Sequence, residues 1–347
     1  TSFMAPFMSC GARLPVYALF AAAFFPLAAG AVVFSLYFVG ILVAILTGFV
    51  LKHTLFRGSV SHFVMELPPY HAPRVKFVFS QAWQRLRAFV VRAGLTIVLI
   101  VTVLAFLNTL GTDGTIGHDD QEDSVLSAIG RAITPVFAPM GIEEDNWPAT
   151  VGLFTGVFAK EVVVGTLSSL YAQQEVASQA AADKADGAGG ENGFDFRGGI
   201  GESFASIPEA LGGALGGIAD PLGAGLVSSD EAAVGEEVGA GAGLFARMRS
   251  QFSPTAAYAY LLFVLLYIPC VAAIAAAIRE MGSGLGWLLV AYTFVVAWSL
   301  ATLFYQFASG AALVPVVIAA GALAALVAGL WILGRTVLRP SVIEGRA

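Results

Sequence analysis

Charge is scarce in this chain. Asp, Glu, Lys and Arg make up 12% of its 347 residues, against about 25% in ordinary soluble domains. A surface facing water needs more charge than that, and a hydrophobic content of 57% points to a chain that lives in lipid. Cysteine is nearly absent: Cys10 and Cys270 are the two thiols, too few for a disulfide framework, which leaves packing or ligation as their work. Histidine occurs four times, and neither HExxH nor GxSxG appears, so those two signatures of metallopeptidases and serine hydrolases are missing. A GxxxxGK[S/T] phosphate loop is also missing. The net charge of -6 comes largely from one polar loop and gives no basic footprint for nucleic acid. No signal peptide is read, because Arg13 is followed by a full membrane run and not by a short core with a cleavage site.

What is abundant is apolar sequence in long runs. A crossing helix needs about 20 mostly apolar residues. Ala28 to Leu51, Leu86 to Leu110, Thr255 to Ile278, Gly284 to Phe304 and Ala311 to Leu333 meet that length, while Pro15 to Leu27 is shorter and reads as one limb of a broken helix. The fold class expected is all-α: a polytopic integral membrane bundle with broken and re-entrant helices. Six stretches organise it. Residues 1–52 hold the first membrane helices and the Cys10 motif, and residues 53–85 form a cytoplasmic connector. Residues 86–172 carry a membrane helix, an outer acidic loop and a re-entrant segment. Residues 173–253 form a flexible acidic loop rich in Gly and Ala, residues 254–334 three C-terminal helices, and residues 335–347 a basic tail.

Charge sets the sidedness. From Lys52 to Arg92 there are seven Lys or Arg against Glu66 alone, and from Gly111 to Trp147 eight acids against Arg131 alone. The first connection is therefore cytoplasmic and the second outside. Val125 to Met140 is amphipathic, interrupted by Pro135 and Pro139, and is expected along the outer interface. Ala149 to Tyr171 is long enough to cross but carries Gly152, Gly156, Gly165 and the adjacent pair Lys160 and Glu161. If it crossed, Arg279, Arg335, Arg339 and Arg346 would all lie outside. If it dips in and returns they lie inside, so the positive-inside bias favours a re-entrant hairpin. The loop 173–253, with twelve acids and four Lys or Arg, then lies outside.

Three constellations can carry chemistry. In Met8-Ser9-Cys10-Gly11-Ala12-Arg13-Leu14-Pro15, Gly11 lets the backbone leave helical geometry and Pro15 suits a first helical turn. Unwound backbone at membrane depth survives only inside protein or beside water, so its carbonyls and the Cys10 thiol, with the Met8 thioether, suit a soft cation. Cys270 follows Pro269 within an apolar run and repeats the pairing of proline with thiol. The alternative for both cysteines is plain packing as small apolar residues. Lys160 and Glu161 sit at the centre of their segment, where a charge costs about 2.5–3.5 kcal/mol. Either Glu161 is an ion or proton ligand with Lys160 as gate charge, or Glu161 meets a structural partner such as Arg13 or Arg92. Glu66 and His71, in Glu-Leu-Pro-Pro-Tyr-His, stand on a stiff cytosolic loop that either presents them to a leaving cation or serves as a connector.

Four stretches in the same order resemble the C-terminal membrane region of the ferrous iron transporter B family. They are Phe7-Met8-Ser9-Cys10-Gly11-Ala12-Arg13-Leu14-Pro15-Val16-Tyr17, Val64-Met65-Glu66-Leu67-Pro68-Pro69-Tyr70-His71, Leu153 to Leu167, and Leu265-Leu266-Tyr267-Ile268-Pro269-Cys270. The resemblance implies a gate-type transporter fold, a multi-pass protein of the bacterial inner membrane, and Fe2+ as transported substrate. Cys10, Cys270, Glu161, Met8 and Glu66 are the candidate metal ligands. It implies no enzyme activity in this stretch. GTP and Mg2+ enter only through an N-terminal GTPase domain that this chain lacks, and Thr1 in first place leads us to expect a partial sequence. Partners implied are that GTPase domain, the bilayer, a small cytosolic accessory protein and an oligomer. The competing readings are a related nucleoside-type carrier and a membrane-embedded enzyme using Cys10 or the Lys160–Glu161 pair.

Overall fold

Apolar runs free of helix breakers grow into long helices, and runs that carry proline or clustered glycine stop short. Both kinds are present. The computed structural model describes residues 3–55, 74–111, 124–158, 160, 162–171, 235, 242–310 and 313–336. Among these residues the chain is helical, with one isolated antiparallel bridge between Gly111 and Ser124. The helices are α1 Leu14–Phe24, α2 Ala29–Thr54, α3 Val75–Thr109, α4 Val125–Phe137 and α5 Trp147–Phe158. They continue with α6 Val162–Tyr171, α7 Ala242–Gln251, α8 Pro254–Leu266, α9 Val271–Met281, α10 Ser283–Ser309 and α11 Leu313–Thr336. Among the described residues, four helical stretches are long and apolar enough to cross a membrane: Ala29–Thr54, Pro254–Met281, Ser283–Ser309 and Leu313–Arg335. The protein is a multi-pass membrane protein with an all-α bundle.

Several boundaries differ from those expected. The helix thought to begin at Leu86 begins at Val75, because no proline lies between Pro73 and Leu110 to stop it. At 35 residues it is about 52 Å long, well beyond the hydrocarbon core of about 30 Å. The run expected to cross as one helix from Thr255 to Ile278 breaks at Tyr267–Cys270, which separates α8 from α9. Pro269 has no N–H to continue the ladder, and Tyr267 and Cys270 are both extended. Pro135, expected to interrupt its segment, lies inside α4 instead, and only Pro139 falls in a separate 3-10 turn, Ala138–Met140. Carbonyls near these prolines are taken up by α10: Trp298 Nε1 donates to Val136 O at 2.8 Å and Gln306 Nε2 to Pro139 O at 2.8 Å. Part of the loop expected over 173–253 is helix α7, whose Leu244, Phe245 and Met248 are buried.

Helices α1 and α8 are buried along nearly their whole length and form the centre. Phe20 stacks on Tyr260 with ring centroids 4.9 Å apart, and Phe252 meets Phe20 edge-on at 5.5 Å. Arg249 Nε from α7 donates to Ala23 O at 2.8 Å and ties the end of α1 to the start of α8. Around this centre, Tyr292 of α10 donates its hydroxyl to Thr47 of α2 at 2.8 Å. At the far end of α2, Gly334 of α11 packs directly on the Thr54 carbonyl, where any Cβ would collide. The C-terminal ends of α2 and α11 therefore lie on one side of the bundle.

Candidate ion site where helix ends meet

Helices α5 and α6 are the two limbs of a hairpin. At its mouth Tyr171 donates its hydroxyl to Asn146 Oδ1 at 2.5 Å. Further in, a Cβ on Gly152 would touch Leu167 at 3.3 Å, Thr155 and Thr166 share a hydroxyl hydrogen bond of 3.3 Å, and a Cβ on Gly156 would fall 2.5 Å from Val163. These rungs step inward from both limbs and converge on the turn at Lys160. Small residues at three of the four rungs let the limbs approach closely, as intramembrane helix pairs require. Lys160 O accepts from the Val163 N–H at 3.4 Å and starts the returning limb.

The hairpin lies against α8, in register along its length. Tyr260 donates to Ala149 O at 3.2 Å near the mouth, and further along, a Cβ on Gly156 would fall 2.5 Å from the Tyr267 hydroxyl. Helix α1 runs opposite to α8, so its N-terminus comes to the same level. Tyr17 lies within electrostatic reach of Arg13 and Cys10, and Tyr267 within reach of Arg13, Tyr17 and Cys270. Four helix ends thus meet: the start of α1, the tip of the hairpin, the end of α8 and the start of α9. Helices α1, α5 and α8 have 11, 12 and 13 residues, about 16 to 20 Å each. That is short of a hydrocarbon core of about 30 Å, so their meeting point lies within its thickness.

The chemistry gathered there is mixed. The last carbonyls of α8 have no helical partner and form a negative end, whereas the first N–H groups of α1 and α9 form positive ends. Cys10 is exposed and Cys270 half-buried, and each is the cap residue directly in front of a helix. Arg13 is 2% exposed. Its Nη2 donates to Pro6 O at 3.0 Å, and among the described residues its Nε and Nη1, like the Tyr267 hydroxyl, have no hydrogen-bond partner. Lys160 is 3% exposed and holds its Nζ 3.9 Å from the centre of the Tyr267 ring, a cation–π contact in a desolvated place. Ser9 donates to the Tyr17 hydroxyl at 3.3 Å.

Of the five residues expected as metal ligands, the structure brings Cys10 and Cys270 to this junction. Met8 is 56% exposed on the stretch leading to Cys10, and Glu66 and Glu161 lie outside the described residues, as does His71. No group of three or more His, Cys, Asp or Glu gathers among the described residues. Sequence reasoning missed Tyr17, Tyr267 and the burial of Arg13. Tyr17 follows Arg13 by one helical turn and Tyr267 stands at the Pro269 break, but neither position separates a site tyrosine from a core one.

Comparison with known proteins follows the same order along the chain. Residues 33–85 match the family described as ferrous iron transport protein B C terminus, and residues 90–195 match the family described as nucleoside recognition. The Fe(2+) transporter FeoB of Salmonella typhimurium (strain LT2) is 45% identical over 311 residues, which is 89% of this chain and 38% of that protein. The Fe(2+) transporter FeoB of Escherichia coli (strain K12) is 46% identical over the same shares, and that of Shigella flexneri 45%. No solved structure matches. The chain spans 38% of the length of these relatives. The chain belongs to the ferrous iron transport protein B family and corresponds to its C-terminal membrane part.

Proposed function

We propose that this chain is the membrane permease part of a ferrous iron uptake transporter, and that the ion passes the junction between Cys10 and Cys270. The observation that carries the reading is the convergence of two thiols and the carbonyl end of α8 at a break between half-length helices. Discontinuous helices place unpaired carbonyls around cations in transporters, and thiolate suits iron(II) among soft and borderline metals. Arg13 and Lys160 are then fixed positive charges that a passing cation must meet neutralised or moved aside, which makes them gate charges. Met8 assists from the stretch that leads to Cys10. Glu161 supplies the carboxylate at the hairpin tip, and Glu66 receives the ion on the cytoplasmic side. Each of these roles is part of the proposal.

The hairpin enters from outside on this reading. The connector after α2 is basic and cytoplasmic, the end of α11 lies beside the end of α2, and the hairpin mouth faces the opposite side, where α1 ends and α8 starts. The protein resides in the bacterial inner membrane. GTP and Mg2+ act through a GTPase domain in the remaining length of the protein, and a small cytosolic accessory protein and self-association belong to the same proposal. The nucleoside-type reading is weaker: in the hairpin the Thr155 and Thr166 hydroxyls already bond to one another, and the relatives are named for Fe(2+).

The test is iron(II) uptake into proteoliposomes by the full-length protein. Cys10→Ser and Cys270→Ser should each lower uptake at least about tenfold, the loss expected when a soft ligand is replaced by a hard one. GTP hydrolysis and membrane insertion should stay unchanged. Wild-type uptake by the double variant would remove thiolates from the mechanism.

A further inference from the structure

On the other face of α8 from the ion site, a crevice of about 510 Å³ opens between α2, α8, α10 and α11. Val43, Leu46, Leu262, Val296, Leu323 and Leu326 are among the side chains that line it. The few hydroxyls in its wall are already paired: Tyr292 donates to Thr47 at 2.8 Å, and Tyr258 shares a hydrogen bond with Ser35 at 2.8 Å. An occupant therefore gains nothing here from polar groups, and the wall selects hydrocarbon.

The crevice has a closed end. On α2 the lining positions Val39, Val43, Leu46 and Val50 follow helical spacing, and the next residue on that face is His53. On α11 Leu323 and Val327 lead in the same way to Trp331 and Gly334. There Gly334 rests on the Thr54 backbone, so the two helices touch. A helix with its side chains is about 10 Å across and cannot run the length of a slot whose walls meet. A single acyl chain can. Two cations stand at the level of the closed end: Lys52, exposed on α2 two residues before Thr54, and Arg335, exposed on α11 next to Gly334 and 3.5 Å over the Trp331 ring.

We propose that this crevice binds one phospholipid with an anionic head group, its acyl chain between α2 and α11 and its phosphate at Lys52 and Arg335. The basic connector puts this end at the cytoplasmic surface, where each Lys or Arg raises affinity for anionic lipid about fivefold. Hydrocarbon complementarity along the slot and charge complementarity at its base select the same ligand class. Filling the slot also completes the wall on which α11 leans, since most of that helix is not buried inside the protein.

The test uses the full-length protein, stripped of lipid in neutral detergent and then offered phosphatidylglycerol or phosphatidylcholine with the same acyl chains. Native mass spectrometry counts the lipid retained. One phosphatidylglycerol should remain per chain under conditions that strip phosphatidylcholine. Lys52→Gln with Arg335→Gln should lower its retention about 25-fold, as two charges at about fivefold each require. Arg279→Gln, on α9 away from the crevice, should not. Leu326→Trp, which fills the slot, should abolish retention, and Leu323→Phe on the same wall replaces it if it fails to elute as a single species. Equal retention of the two lipids, unchanged retention in the filled variant, or an equal loss in Arg279→Gln would overturn the proposal. Disulfide linking of two copies through Leu326→Cys would assign the crevice to a second copy and overturn it as well.

Discussion

Tyr267 is held in a contradictory position, since its ring carries a cation and its hydroxyl has no partner among the described residues. An unmet buried hydroxyl costs about 1–3 kcal/mol, so Tyr267→Phe should leave the thermal midpoint of the purified protein unchanged or raise it. Tyr267→Leu, which removes the π face under Lys160, should lower it. If the hydroxyl faces the passing ion, Tyr267→Phe also slows iron(II) uptake without loss of stability, and unaltered uptake would remove the hydroxyl from the path. Gly156 gives a second test at this scale. A Cβ there falls 2.5 Å from both the Tyr267 hydroxyl and Val163, whereas Gly165 on the opposite limb has nothing within 4 Å. Gly156→Ala should therefore destabilise by about 1–3 kcal/mol, while Gly165→Ala should be neutral or slightly stabilising because alanine is the better helix former. Equal melting of the two variants would mean that the tip is loosely packed. The thiols at Cys10 and Cys270 could be read from sequence because helix breakers stand beside them. The tyrosines could not, because a tyrosine in an apolar run looks like any other large core residue until its neighbours from α1 and the hairpin are known.

Among the elements, the hairpin decides the sidedness of everything after it. Its mouth lies beside Gln251, which accepts from Asn146 Nδ2 at 3.3 Å, so the stretch after Tyr171 leaves from the mouth and the chain is back there at the end of α7. That stretch should be outside and the tail after Arg335 inside. Ser228→Cys should react with an impermeant thiol reagent added to intact cells, and Ser341→Cys only after the membrane is opened. Labelling of Ser341→Cys alone from outside would reverse the assignment. The hairpin was legible in sequence through the cations after it, since a single crossing would have put Arg279, Arg335, Arg339 and Arg346 all outside; the glycines and the pair Lys160–Glu161 only marked the segment as unusual. The break after Leu266 was half legible: Pro269 marked an irregularity, yet mean apolarity ran on across it, because hydropathy measures what lipid tolerates and not where the ladder of hydrogen bonds stops. The early start of α3 at Val75 went unread, since Lys76, Ser80, Gln81, Gln84 and Arg85 interrupt its apolar residues before Leu86 and let the stretch pass for a connector.

At the scale of the whole molecule, the centre is built from residues far apart in the chain. Phe20 and Tyr260 stack at 4.9 Å across about 240 residues, and the ends of α2 and α11 touch across a similar gap. Membership of the bundle was legible from length and apolarity, but which helices stand next to which was not, because lipid-immersed helices pair by shape at small residues such as Gly334 and not by a periodic apolar stripe. The pairing of α1 with α8 has a consequence for how the protein is made. At about 5–20 residues per second, a ribosome finishes α8 roughly 12–50 s after α1 has emerged. Throughout that interval the 11 residues of α1 are too few to hold a place across the bilayer alone, which takes about 20. Ala18, 2% exposed in the finished fold, should thus react as Ala18→Cys with a water-soluble thiol reagent in nascent chains halted before Pro254, and become protected in chains released after Met281. The N-terminal limb of the ion site is then among the last parts to settle, and a stalled ribosome upstream of α8 leaves behind a membrane protein with its iron path still unassembled.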